Sequence, residues 1–223
     1  MRLFSFFLGP PLCCRRSFCR KTDALEYLAD LARSYKLGLV PVTGLSRGKE
    51  YQSSVARVIK KDRHGVCLRI TPFEVLHAGF KNTIGDFLKC LSLGAESIHL
   101  VVDYEVNDPA EPEPKSLLAS IPHLNEWQTL SVASGAFPSD LQEFQPGNTK
   151  IPRNDWLVWK RTVLQRENRV RKPSFSDYSI QYGLYKEPVE HCNPSASIRY
   201  TLEEDWLIMR GEGYAWKANV KPD

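Results

Sequence analysis

The chain has 223 residues, 42% of them hydrophobic and 25% charged. That is ordinary globular composition, and it excludes wholesale disorder and collagen-like order. Thirty Lys and Arg against 26 Asp and Glu leave +4, too mild a balance to argue for nucleic acid by itself, and no apolar run approaches the roughly 18–20 residues that span a bilayer.

Residues 1–21 stand apart. Phe4 to Leu8 is apolar, but Pro10 and Pro11 break it, and Cys13-Cys14-Arg15-Arg16 follows where a secretory peptide needs small residues. The expectation is a disordered or foreign leader, followed by one barrel-like domain over residues 22–223, itself incomplete. The cysteines Cys13, Cys14, Cys19, Cys67, Cys90 and Cys192 show no paired CxxC spacing. They read as reduced thiols of a cytoplasmic protein, with no zinc and no other cofactor expected.

From residue 22 the elements alternate. Thr22-Asp23 caps a helix running to about Tyr35, with Leu25, Leu28, Leu31 and Ala32 on one face. A strand covers 37–43. Glu50 to Lys61 is an amphipathic helix, and Gly65 to Thr71 a second strand. Phe73 to Phe80 and Thr83 to Leu91 read as helix, Ser97 to Asp103 as a third strand. After a Pro-rich acidic loop from Asn107 to Pro114, Lys115 to Ile121 is a short helix and Thr129 to Ala133 a fourth strand. The strands recur about every 28–32 residues, the length of one βα unit. Strand–helix alternation implies a parallel sheet with consecutive strands paired in sequence order. The texture then changes. Gly135 to Lys150 reads as a long loop and Arg153 to Gln165 as a helix carrying Trp156 and Trp159. Phe175 to Tyr182, Ser197 to Thr201 and Trp206 to Arg210 read as strands, the last two joined by a hairpin turn at Leu202-Glu-Glu-Asp205. The fold class is α/β: an incomplete or irregular (β/α) barrel-like parallel sheet with a β-rich C-terminal part. A closed barrel needs about eight strands, and about seven are legible, so an open edge or exposed apolar surface is expected near the first or last strand.

Several segments carry a resemblance. Leu39-Val-Pro-Val-Thr-Gly-Leu45, Gly65-Val-Cys-Leu-Arg-Ile70, Ser134-Gly-Ala-Phe-Pro138, Pro152-Arg-Asn-Asp-Trp156 with Trp159, Phe175-Ser-Asp-Tyr178, Ser197-Ile-Arg-Tyr-Thr201 and Trp206-Leu-Ile-Met-Arg-Gly211 occur in this order and spacing. Together they resemble the phage beta protein family. The resemblance implies a bacteriophage or bacterial context and members longer at both ends than this chain. It implies no reaction.

Chemistry must then come from the strand faces. Alternation sets Val66, Leu68 and Ile70 opposite Cys67 and Arg69, and Ile98, Leu100 and Val102 opposite His99, Val101 and Asp103. The aliphatic face suits helices; the other would line a barrel interior, with Arg69 and Asp103 near the C-terminal strand ends where barrel sites are built. Asp177, Arg199 and Arg210 come from later strands. Arg69, Asp103, Asp177, Arg199 and Arg210 therefore form the candidate ligand-binding set, because guanidinium forks take phosphate or carboxylate in bidentate fashion. Arg69 and Asp103 are expected on the interior face, with Arg199 or Arg210 reaching the same cavity. The competing reading is an Arg–Asp network that only closes an irregular barrel.

The remaining candidates are weaker. His99 reads as a core histidine, and His64, His77, His123 and His191 share no metal spacing. Ser134-Gly135 lacks a nucleophile elbow. Trp156 and Trp159 read as core anchors rather than a stacking platform. The basic stretch from Arg166 to Lys172 reads as a solvated connector. Two functions are carried forward. One is a binding or interaction protein whose partner is an anionic, phosphate-bearing small molecule or a nucleic acid. The other is a metal-assisted phosphodiester hydrolase using Asp103 and Glu105. The sequence sets no oligomeric state.

Overall fold

The computed structural model describes residues 23–106, 114–164, 171–184 and 195–213. The leader expected over residues 1–21, residues 107–113 of the acidic loop, residues 166–170 of the basic connector, and His191 and Cys192 lie outside the described residues.

The first helix, α1 (Ala24–Ser34), starts where the cap was expected: the Asp23 carboxylate accepts from the Leu25 N–H at 2.9 Å. It buries Leu25, Ala29 and Ala32 beside α2 (Lys49–Asp62), which buries Val55, Val58 and Ile59. The ion pairs Arg33–Asp62 and Arg57–Glu26 join the two helices. Five parallel strands follow the chain: β1 (Val42–Thr43), β2 (Val66–Ile70), β3 (Ile98–Val106), β4 (Thr129–Gly135) and, after β5 (Gly147–Pro152) leaves for another sheet, β6 (Ser174–Ser176). The expected parallel pairing of the first four strands in sequence order is what the structure has. The first strand is shorter than expected, because Pro41 has no N–H to give a ladder; it contributes only its carbonyl, to Cys67 N at 2.9 Å.

The order β1-β2-β3-β4-β6 never reverses, as it would in a doubly wound sheet. One face therefore takes the helices. Val66, Leu68, Ile70, Ile98, Leu100 and Val102 are fully buried there. They form one core with Leu25 and Val55, with Ile84 and Phe87 of α4 (Phe80–Leu91), and with Leu117 and Leu118 of α5 (Pro114–Ala119). A short α3 (Pro72–Leu76) precedes α4, closed by a Thr71–Glu74 capping box. The expected helix over 73–80 is thus split, the chain leaving helical geometry at His77. Among the described residues the parallel sheet is open, with β1 and β6 at its edges. Tyr27, Leu31, Tyr35 and Leu37 are exposed on α1 and its exit toward β1.

The C-terminal part is a separate antiparallel sheet, ordered β5-β8-β7, from β5, β7 (Ser195–Thr201) and β8 (Asp205–Gly213). The β7–β8 hairpin turns at Leu202–Asp205 as expected, Leu202 N donating to Asp205 O at 2.8 Å. Trp206 and Ile208 of β8 pack with Phe137 and Leu141 in a second core. Three expectations need correction. The segment from Gly135 to Lys150 is not all loop: its end enters β5, whose Asn148, Thr149 and Lys150 carry no apolar alternation to announce a strand. The strand expected over 175–182 stops at Ser176, because Asp177 turns the chain by accepting from Ser179 N, with Ser179 at φ 57. The helix expected over 153–165 is α-helical only in α6 (Asn154–Trp159), then widens to a π turn over Lys160–Leu164 that seats the buried Val163. No helix among the described residues is long and apolar enough to cross a membrane.

The two cores are expected to melt together. Ile208→Ala should cost about 2–4 kcal/mol by cavity formation, lowering the same single calorimetric transition that Leu100→Ala lowers. Two separated transitions would show that the sheets unfold independently.

Candidate functional site

Parallel register places Arg69 opposite Val101, and Asp103 two residues further along the same face of β3. The Arg69 Nε donates to Asp103 Oδ2 at 2.6 Å, and its Nη2 donates to Glu105 Oε1 at 2.8 Å. Tyr178, just past β6, donates its hydroxyl to the same Asp103 Oδ2 at 2.6 Å, and the Glu105 N–H takes Asp103 Oδ1 at 2.8 Å. The Asp103 side chain is fully buried, that of Arg69 is 28% exposed, and that of Glu105 40% exposed. Burial alone would pull the guanidinium pKa down, but Asp103 and Glu105 hold it above its ordinary value. Burial and the Asp103 charge push the Tyr178 phenol up, so it stays a proton donor.

Of the five residues expected at the site, the structure brings Arg69 and Asp103 into contact. Asp177 goes elsewhere, to Arg153 Nη2 at 3.5 Å. Asp177 and Tyr178 are consecutive, so the end of β6 sends one side chain to each of two arginines' networks. Arg199 donates to the Ile180 carbonyl at 3.0 Å and lies 5.1 Å from the Phe137 ring centre. Arg210 donates to the carbonyls of Leu141, Gln142 and Phe144. Both guanidinium groups thus engage main chain of the β4–β5 and post-β6 connections. Tyr178 is the residue that sequence reasoning missed. Its segment, Phe175-Ser-Asp-Tyr178, reads as strand and gives Tyr178 no signal that separates it from its neighbours.

Arg153 organises a second cluster. Its backbone N–H donates to Glu204 O at 2.8 Å, and its Nη1 reaches the carbonyls of Leu202 and Glu203 at 3.2 and 3.3 Å. Its guanidinium lies over the rings of Trp156 and Trp206. Trp156 stacks on Trp159, with ring centres 5.1 Å apart, and both meet Phe175 edge-on. Asp155 is buried beside them: one oxygen accepts from Trp156 N at 2.8 Å, and the other has no hydrogen-bond partner among the described residues. Burial pushes this carboxyl up to about 6; the Trp156 N–H opposes that, the Asp177 charge adds to it and Arg153 offsets part of it.

Two nucleophile or base candidates are quiet. Burial pushes the Cys67 thiol up to about 12, which leaves no thiolate near neutral pH. Burial also lowers the His99 pKa, and its Nδ1 pairs with Thr129 Oγ1 at 2.9 Å. A hard cation between Asp103 and Glu105 would have to displace the guanidinium that bridges them. Among the described residues no group of three or more His, Cys, Asp or Glu is placed to hold a metal.

A family model described as Beta protein matches residues 16–220. The chain belongs to the Beta protein family. The segments noted in the sequence all fall inside that match. No curated protein matches the chain. Among solved structures, this Beta protein family member is similar to a GH18 chitinase from Pseudoalteromonas aurantia, at 12% identity and TM-score 0.42, over 71% of this chain and 61% of the chitinase chain. The chain thus spans less than two thirds of that chitinase, and so distant a likeness says nothing of activity.

The network separates two substitutions. Asp103→Ala should destabilise by about 3–5 kcal/mol, since it removes the buried charge partner of the guanidinium and an acceptor of Tyr178. Glu105→Ala should cost under about 1 kcal/mol, because its half-exposed pair is solvent-screened. Urea denaturation of both variants measures the contrast.

Asp155 sets a pH dependence. Its folded pKa of about 6 stands above the ordinary aspartate value of 3.8, so its contribution to stability is full below about pH 4 and is lost as pH rises through about 6. Asp155→Asn should therefore be more stable than the parent at pH 7.5, by about 2–3 kcal/mol, with the gap closing toward pH 4. Paired urea titrations at the two pH values check the sign.

Proposed function

We propose that this chain is a binding protein that takes an oxyanion of phosphate type at Arg69. The observation that carries the reading is the division of the Arg69 pairs. One edge of the guanidinium is pinned to a fully buried Asp103, which itself holds Tyr178 and the Glu105 N–H. The other edge meets the half-exposed Glu105 carboxylate. A guanidinium fixed in orientation on one side and accessible on the other is preorganised for an oxyanion. Its position supports this as well, since α/β sheets bind ligands beyond the carboxyl ends of their strands. Asp177, Arg199 and Arg210 enter the proposal as the frame that holds the surrounding connections. A free phosphate compound and a nucleic-acid strand share the same recognising chemistry, and binding assays distinguish them. The reading sets the protein in the cytoplasm of a phage-bearing bacterium. The unpaired thiols Cys67 and Cys90 support the reducing compartment, and the resemblance to phage beta proteins supports the context.

The test is calorimetric titration of the parent and Arg69→Ala with inorganic phosphate and with a short single-stranded oligonucleotide. Arg69→Ala should weaken binding by about 2–3 kcal/mol, the size of one charge-assisted bidentate contact. An oligonucleotide that binds the parent while phosphate does not would assign the site to nucleic acid. Equal affinity of parent and Arg69→Ala for both would remove Arg69 from the function.

A further inference from the structure

Glu105 is held in place at a conformational cost. Its φ is 57, a left-handed conformation that glutamate rarely adopts. The β3–β4 register shifts between Asp103 and Val106, which makes Glu105 part of a bulge. Asp103 Oδ1 holds its N–H at 2.8 Å. Its carbonyl is pressed between two glycines: a Cβ on Gly135 would stand 3.3 Å from that oxygen, and one on Gly183 would stand 2.3 Å from it. Three separate stretches of chain therefore impose one strained residue, and such strain persists only where the surroundings over-determine it.

What this arrangement delivers is the Glu105 carboxylate on Arg69 Nη2. Neutrality does not require it, because the buried Asp103 already balances the guanidinium. A second negative charge on one cation, placed where solvent reaches it, contributes little stability. It does occupy the position that an incoming oxyanion needs.

Resting on the oxyanion reading of Arg69, we infer that Glu105 is an internal competitor that closes the Arg69 site until a phosphate group displaces it. The bulge keeps the backbone in place during the exchange, and only the half-exposed carboxylate swings into solvent. A phosphate dianion outcompetes it because it carries more charge and more acceptor oxygens for the same guanidinium. Singly charged carboxylates, which offer no more charge and no more acceptor oxygens than Glu105, do not repay the displacement. The bulge thus acts as a threshold on ligand charge.

The test uses the full chain and inorganic phosphate as the probe, at constant ionic strength and pH 7.5, by calorimetry or phosphorus NMR. Glu105→Gln removes the competing charge and keeps the shape. Glu105→Asn removes it while suiting the left-handed backbone better, so a folding defect of the first variant does not end the experiment. Both are expected to bind phosphate roughly fivefold or more tighter than the parent, and both should lose that binding when combined with Arg69→Ala. Unchanged or weaker binding by the variants, with the parent still binding through Arg69, overturns the competitor role and leaves the oxyanion reading standing. Absence of both phosphate and oligonucleotide binding by the parent and by both variants overturns the oxyanion reading itself.

Discussion

The buried pair between Arg69 and Asp103 is the constraint on which the open face of the parallel sheet depends. A carboxylate with no solvent exposure is tolerable only when its lone pairs are occupied by strong donors. Asp103 has three: the Arg69 guanidinium, the Tyr178 hydroxyl and the Glu105 N–H. Each comes from a different place in the chain, so satisfying one carboxylate brings the end of β2, the bulge of β3 and the segment after β6 to one point. The turn at Asp177 is part of that requirement. By ending β6 early, it aims Tyr178 at Asp103 and frees Asp177 to meet Arg153.

Arg153 repeats the same logic for the second sheet, with aromatic rings in place of a buried acid. Its donors take carbonyls of the β7–β8 turn, and its face lies on Trp156 and Trp206. The antiparallel sheet is thereby tied to α6 and, through Asp177, to the end of the parallel sheet. The wider neighbourhood is not optimised throughout. Among the described residues Asp155 keeps one buried oxygen without a partner, and the indole N–H groups of Trp156, Trp159 and Trp206 are likewise buried without acceptors. Natural structures leave few such groups.

How much of this was legible in the sequence follows from which signals are periodic. The four aliphatic strands announce themselves because a parallel strand covered by helices needs an unbroken apolar face, as Leu68, Leu100 and Val132 supply. The Asp23 cap and the turn of the β7–β8 hairpin are local chemistry and read equally well. The opposition of Arg69 and Asp103 was legible by alternation alone, because a side chain's face is fixed by its parity along a strand. What failed was non-local. The polar edge strand β5 has no period of its own and exists because β8 offers it a ladder. The destinations of Arg199 and Arg210 were beyond sequence reasoning, because main-chain carbonyls exposed by irregular connections leave no side-chain signature.

Glu105 shows how the legible and illegible parts combine. Alternation predicts that residues 103 and 105 share a face, and both carboxylates do reach Arg69. The reason is not regular strand geometry, however, for the chain between them is bulged and Glu105 is left-handed. A regular strand would have sufficed to present a carboxylate on that side. The bulge instead keeps the Glu105 side chain at the rim, half in solvent, while its N–H serves the buried Asp103. One residue is thus divided between two tasks. Its backbone completes the interior hydrogen bonding that stability requires, and its side chain stays half in solvent on Arg69. In the proposed competitor role, that separation of a permanent contact from an exchangeable one lets one charged cluster serve as both structural joint and binding site.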